Sequence, residues 1–469
     1  MTSSRTSSAL ELHLPLDRAR TEPLHRQLEQ GLRAAIRDGR LAAARPVPST
    51  RALARQLDVS RGIVVEAYEQ LVAEGYLVST PGGATRVARA ASAAPVARPP
   101  AGDVLFRYDF RPGRPDVTEF PRAAWLRAVR RALASAPSER LSYLQGRGVP
   151  ELTSALAGYL NRVRGTAADP ANFVVATGFA QALGLTVRGL RARGTKRIAV
   201  EDPSDPEYRS TIEEAGLEWL AIPVDEAGLR VDRLTASRAD AVIVTAAHQY
   251  PTGAVLSAER RSSLLDWAAR RGGTILEDDY DAEFRYDRQP IGSLQGLAPD
   301  RVVYAGSASK ILAPGLRLGW LVVPAALTET VVAAKQAADM GSAAIDQLAF
   351  ADILERGDLD RHLRRMRPIY RGRRDALLDA LRRRLPELRP VGASAGLHVL
   401  AWLPPGADEA RLLRDAARAG IGIAGVSTRW VEPGPPGLIF GYGVIAEPAI
   451  DAGVAALAEV IRADRSSAA

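Results

Sequence analysis

Five short β-rich runs, at 197–201, 241–245, 274–277, 302–305 and 318–323, alternate with helix-patterned stretches through the middle of the chain. Adjacent antiparallel strands can be closed by a two-residue turn, whereas parallel strands need a crossover, usually a helix. The alternation therefore predicts an α/β unit: a mainly parallel sheet with helices on both faces. A long Arg-rich helical stretch at 359–385 then leads into a smaller α+β section at roughly 390–465. At 469 residues and 46% hydrophobic content, the chain can hold two or three domains and a large core. No internal repeat is present.

Composition removes several chemistries. There is no cysteine, so disulfides, thiolate nucleophiles and cysteine metal sites are excluded. Five histidines spread along the chain argue against a histidine metal cluster, and no metal is expected. The opening Met-Thr-Ser-Ser-Arg lacks the apolar core of a secretory signal, and no run reaches 18 apolar residues. The expectation is a soluble, cytoplasmic protein with no membrane contact. Of 62 basic residues only Lys196, Lys310 and Lys335 are lysines, so chemistry that needs a side-chain amine has three candidates. A net charge of +8 is compatible with nucleic-acid binding without establishing it.

The first 88 residues have their own pattern. Residues 1–9 read as a frayed polar terminus. From Glu22 the residues Leu24, Leu28, Leu32 and Ile36 mark a helix that stops at Gly39. A second helix fits 50–57, Asp58-Val59 turns, and a third opens with Ser60 as N-cap and Ile63, Val64, Ala67, Leu71 and Val72 as its apolar face. Strands at 76–78 and 85–87 flank a turn at 80–83. Three helices and a hairpin describe a winged helix-turn-helix, whose third helix suits a DNA major groove. Ser60, Arg61 and Gly62 fall on its first turn, Arg51 opens the second helix, and Gly83 and Arg86 lie on the wing. Each arginine taken alone is also what a solvated surface carries, and a three-helix segment with a hairpin could equally dock a protein. The predicted domain is 10–88, followed by an Ala/Pro-rich linker at 89–105 and an effector domain at 106–465.

In the large region, Ser307-Ala308-Ser309-Lys310 is followed by Arg317 seven residues after the lysine. Hydroxyls and a guanidinium around an amine are what pyridoxal phosphate (PLP) requires, since the phosphate must be held and the aldehyde attacked. In Glu277-Asp278-Asp279-Tyr280 the strand period puts Asp278 and Tyr280 on one face. A carboxylate there can pair with a pyridinium nitrogen and a phenol can bond the ring 3-oxygen. Thr177-Gly178-Phe179 forms a strand-to-helix turn with amides for a phosphate. Acidic strand ends also bind magnesium, but no GxxxxGK[ST] loop accompanies them here.

Pro23-Leu24-His25-Arg26-Gln27-Leu28, Val47-Pro48-Ser49-Thr50-Arg51, Val59-Ser60-Arg61-Gly62-Ile63-Val64 and Glu74-Gly75-Tyr76-Leu77 together resemble a GntR-type DNA-binding domain. Gly62 and the wing sequence Gly82-Gly83-Ala84-Thr85-Arg86 depart from the usual pattern. The lysine, Asp278 and Gly178 segments, with Glu201-Asp202-Pro203, His248-Gln249-Tyr250-Pro251-Thr252-Gly253 and Ala395-Gly396-Leu397-His398, resemble the fold-type I aminotransferases. That resemblance implies Lys310 as the Schiff-base lysine, Asp278 on the pyridine nitrogen and Tyr280 on the 3-oxygen. Gly178, Phe179, Ser307, Ser309 and Arg317 would surround the phosphate, and Tyr250 stands where such enzymes carry asparagine. The combination resembles the MocR subfamily of regulators. It implies a homodimer on double-stranded operator DNA that responds to a small amine or amino acid, or to PLP itself. A working aminotransferase with an appended DNA-binding domain is the alternative. Against it, Asp205 replaces the aromatic that stacks on the ring, with Tyr208 a substitute if the loop shifts. Ile439 replaces the carboxylate-binding arginine, leaving Arg209 or Arg429 for an effector carboxylate. At most partial transamination is expected.

Overall fold

The computed structural model describes residues 14, 16–80, 83–89, 105–144, 146–286 and 291–468, and the chain divides into two compact units, Met1–Asp103 and Val104–Ala469. The polar terminus at 1–9, the Pro81-Gly82 tip of the wing and the linker, apart from Arg89 and Leu105, lie outside the described residues.

In the first unit α1 (Leu24–Arg37), α2 (Thr50–Gln56) and α3 (Arg61–Ala73) precede β1 (Leu77–Val78) and β2 (Arg86–Val87). Leu28, Leu32 and Ile36 are buried at four-residue spacing, and Gly39 follows at φ +75°, a conformation that ends helices at little cost for glycine. Ser49, which the sequence reading passed over, caps α2 by accepting from the Ala52 amide at 3.2 Å. Ser60 does stand at the N-cap of α3, but its side chain makes no capping bond. The inward face of α3 is Val64, Ala67, Tyr68 and Leu71. Val72, expected inward, is exposed; Tyr68 fills that side, its hydroxyl donating to the Pro48 carbonyl at 2.8 Å. The wing pairs Leu77 with Val87. A further edge comes from 44–47, where the amides of Ala44 and Val47 donate to Val87 and Thr85 at 2.9 Å.

The second unit is built on an eight-stranded sheet in the order Phe173–Ala176, Gly319–Val322, Val302–Ser307, Thr274–Asp278, Ala241–Val244, Arg197–Asp202, Glu218–Asp225, Gly228–Leu229. The five strands from Val302–Ser307 to Glu218–Asp225 pair in parallel; the flanking pairs are antiparallel. Alternate residues feed opposite cores, as a strand's period of two demands. Val174, Ile198, Ile243 and Leu276 pack under the helices Phe179–Ala192, Pro206–Glu214 and Ala325–Asp339. Ala199, Val242 and Ile275 pack against Leu264 and Trp267 of Ala258–Arg271 on the other face. The chain then forms the helix Asp358–Arg384 and a four-stranded antiparallel sheet, Arg389–Val391, His398–Trp402, Gly437–Gly441 and Ala424–Gly425, with the helices Glu409–Arg418 and Glu447–Ala468. Among the described residues no helix is long and apolar enough to cross a membrane.

Candidate functional site

Parallel pairing brings the last residues of four neighbouring strands, Asp202, Val244, Asp278 and Ser307, to one edge of the sheet. Phe173–Ala176, two antiparallel steps from Val302–Ser307, runs the same way, so the Thr177-Gly178 turn reaches that edge as well. Open α/β sheets bind ligands outside the carboxyl ends of their strands. Here the edge opens on a cavity of about 660 Å³. Phe179, Tyr250, Asp278, Tyr280, Ser307, Ser309, Lys310, Arg317 and Arg429 all line it.

Lys310 sits on the one-turn helix Ala308–Ile311 that follows its strand. Its Nζ donates to the Gly113 carbonyl at 2.8 Å. Burial pulls its pKa below the ordinary lysine value, against the opposing charges of Asp281 and Asp278, which favours the neutral, nucleophilic amine.

The two adjacent aspartates separate as strand alternation requires. Asp279 turns away from the cavity into a buried pair with Arg164, at 2.7 and 3.1 Å, and accepts from the Tyr304 hydroxyl at 2.7 Å. Asp278 lines the cavity and accepts from the Tyr208 hydroxyl at 2.7 Å. Burial pushes Asp278 up to about 8, with the Tyr208 hydrogen bond and Lys310 pulling the other way. Tyr208 is therefore no substitute for a stacking ring. Its hydroxyl is engaged by Asp278, and its ring meets Phe179 edge-on with centroids 6.0 Å apart.

The opposite end of the cavity suits an anion. Arg317 holds a left-handed backbone, φ 49° and ψ 44°, a conformation that costs a side-chain-bearing residue about 1 kcal/mol or more. Its guanidinium faces Gly178, where a Cβ would lie 2.9 Å from Nη2. Gly178 is itself at φ +97°. Among the described residues the Arg317 guanidinium makes no hydrogen bond or ion pair, while the Arg317 amide donates to the Pro314 carbonyl at 3.2 Å. The 14-residue helix Phe179–Ala192 begins here and offers its first amides. The Thr177 amide, read as free, is instead taken by Gln181 Oε1 at 2.9 Å. Ser307 Oγ accepts from the Ser309 amide at 3.1 Å.

Arg429 lies 4.9 Å over the Tyr250 ring, and its buried Nε has no hydrogen-bond partner. Arg209 does not line the cavity. It donates to the Arg429 carbonyl at 3.2 Å and stacks on Trp219. Ile439 packs with Leu400 and Val426 away from the cavity, and of the two candidates Arg209 and Arg429 it is Arg429 that lines it. Two of the five histidines, His248 and His398, lie with ring centroids 5.0 Å apart, beside Asp281. Their separation of 150 residues in the chain left no sequence signal.

In the first unit Arg51, Ser60, Arg61, Gly62, Gly83 and Arg86 are all exposed. The first four cluster where α2 and α3 begin, with Arg61 Nε 3.5 Å from Thr50 Oγ1. Arg86 donates to the Ala44 carbonyl at 3.1 Å, tied to the wing's edge.

The family of bacterial regulatory proteins of the gntR type matches residues 24–87, and aminotransferase class I and II matches 115–418. The HTH-type pyridoxine biosynthesis transcriptional regulator PdxR of Corynebacterium glutamicum is 32% identical over 89% of this chain and 91% of its own length. The probable rhizopine catabolism regulatory protein MocR of Rhizobium meliloti is 31% identical over 97% of both chains. The likeness runs through both units. The chain belongs to the MocR-type regulators of the GntR family. This MocR-type protein thus joins a DNA-binding helix-turn-helix to a fold-type I aminotransferase domain, and it is a transcriptional regulator. The fold of its second unit is that of solved aminotransferases. One is LysN, the α-aminoadipate aminotransferase of Thermus thermophilus, at TM-score 0.69 and 26% identity, covering 76% of this chain and 92% of LysN.

Proposed function

We propose that this regulator holds pyridoxal phosphate on Lys310 and reads a small amine or amino acid through it, with operator binding as the output. The observation that carries the reading is the convergence, in one cavity, of the half-buried amine of Lys310, the carboxyl of Asp278 and the partnerless guanidinium of Arg317. LysN was solved with N-(5'-phosphopyridoxyl)-L-leucine, a coenzyme joined to an amino acid, which supports the same pairing here.

The residues fit the group. Arg317, the first amides of the Phe179 helix, Ser307 and Ser309 would hold the phosphate, and Gly178 leaves Arg317 room. Asp278 would face the pyridine nitrogen, held there by Tyr208; Tyr280 would face the 3-oxygen, with Tyr250 beside it. When bound, the coenzyme supplies an aldehyde that condenses with amines. The chain supplies a lysine whose pKa burial lowers from its ordinary value and an arginine, Arg429, that would take an effector carboxylate. An effector shifts DNA binding only through different affinities for two states of the protein.

Two copies suit a two-part operator. The exposed apolar side chains Leu126 and Leu133, seven residues apart on the helix Arg122–Ser135, with exposed Leu141 and Tyr143, support a homodimer, since exposed apolar surface marks association sites. Arg61 on α3 and Ser60 at its N-cap would read double-stranded DNA, in the cytoplasm. Sustained transamination is not favoured, because Asp205 lines the cavity where a stacking ring is needed. Borohydride reduction of coenzyme-loaded protein followed by peptide mapping tests the reading. The label is expected on Lys310; a label only on Lys196 or Lys335, or none, refutes it.

A further inference from the structure

Below the cavity a buried polar knot is left over by this reading. His248 is 1% exposed. Its Nδ1 lies 3.0 Å from Asp281 Oδ2 and 3.0 Å from the Tyr280 hydroxyl, and its Nε2 lies 3.2 Å from the Gly392 carbonyl oxygen. Gly396 packs directly on the pair: a Cβ there would sit 2.3 Å from both Asp281 Oδ2 and His248 Cε1.

The partners decide the protonation. A carboxylate and a carbonyl only accept, and a neutral imidazole has one N–H to give. Only the imidazolium satisfies both Asp281 and Gly392. The neighbours agree: burial pulls His248 down, Asp281 and the Gly392 carbonyl pull it up, Arg285 opposes them, and the net direction is up. His398, facing it, is pressed well down by burial and by His248. It stays neutral while its Nε2–H donates to the Pro251 carbonyl at 3.1 Å.

With an N–H on each ring nitrogen, the Tyr280 oxygen can only accept, sharing the Nδ1–H with Asp281, and its own proton is left for the cavity. We infer that the His248–Asp281 pair is a positioning dyad that holds the Tyr280 hydroxyl from behind and aims its proton at the coenzyme's 3-oxygen. A neutral His248 protonated only on Nε2 would instead present a lone pair at Nδ1 and draw the Tyr280 proton away. The same side chains could offer ligands to a cation, but the His248 and Asp281 atoms already stand at hydrogen-bond distance and need no ion to satisfy them. The inference rests on the coenzyme reading above.

A double-mutant cycle tests it, using the full chain, pyridoxal phosphate as the probe, and both affinity and the position of the coenzyme's absorption band as readouts. Tyr280→Phe and His248→Asn should each weaken binding about tenfold and move the band alike. The double variant should stay within about twofold of either single one, because both remove the same hydrogen bond. Losses that multiply in the double variant, or a His248→Asn protein that binds and absorbs like wild type, overturn the inference. If thermal melting shows His248→Asn unfolded, Asp281→Asn takes its place under the same criteria. A wild type that never binds the coenzyme removes the underlying reading and this inference with it, whereas wild-type binding with multiplied losses removes only the dyad.

Discussion

Replacing Tyr208 by phenylalanine removes one hydroxyl and keeps the ring that packs on Phe179. The lost bond is the 2.7 Å one to Asp278 Oδ2. Asp278 is pushed up to about 8, chiefly by burial and against the pull of that same bond. At pH 7 it is therefore mostly protonated, and ionising it costs about 1.4 kcal/mol. A hydrogen bond to a charged acceptor contributes about 1.5–3 kcal/mol, so the variant's Asp278 becomes harder still to ionise. Coenzyme affinity at pH 7 should fall about 10- to 100-fold, because a carboxylate is what would pair with the pyridine nitrogen. The pH dependence has a definite sign. A carboxyl whose folded pKa lies above the unfolded value of about 3.9 stabilises the fold most below pH 4 and loses that contribution as pH rises towards 8. Coenzyme-free protein should lose melting temperature across that window, and added coenzyme should flatten the slope. Fluorescence titration and melting curves at several pH values read both effects. Unchanged coenzyme affinity in Tyr208→Phe would show that Asp278 does not face the ring nitrogen.

Arg429→Ala should weaken an amino-acid effector at least tenfold by removing a charge-assisted contact while coenzyme affinity holds; Arg209→Ala, outside the cavity, should do less, and calorimetry separates them. Arg61→Ala should cost about 1–3 kcal/mol of operator affinity with loss of base preference, and gel-shift titration against scrambled DNA would expose a wrong docking if both stay intact. Arg164→Met should destabilise the large unit by about 3–5 kcal/mol, the usual consequence of leaving a buried carboxylate, here Asp279, without its partner. Chemical denaturation measures this, and an unchanged midpoint would contradict the burial of the pair.

Much of this architecture was legible because it depends on local periodicity. The runs at 197–201 and 302–305 recur as Arg197–Asp202 and Val302–Ser307, and the 359–385 helix as Asp358–Arg384. Strand alternation was enough to tell Asp278 from Asp279, since adjacent strand residues must face opposite sides. What stayed hidden depends on the tertiary path. Phe173–Ala176 and Glu218–Asp225 carry no clear alternation, one being buried on both faces and the other only half covered. Tyr208 looked like a stacking ring because sequence places it near Asp205 and says nothing of a hydroxyl 70 residues from its acceptor. Arg429 could not be preferred over Arg209 until the turn Ser427–Arg429 was seen at the cavity wall. The His248–His398 contact joins the large sheet to the small one, and no spacing rule reaches that far.

The central claim is that Lys310 links a small-molecule signal to DNA. The direct measurement is operator affinity of the coenzyme-loaded full-length protein, titrated with candidate amines, for wild type and Lys310→Ala side by side. One amine should change wild-type affinity for the operator and leave Lys310→Ala unmoved. A response of equal size in both proteins would place the signal elsewhere and contradict the account.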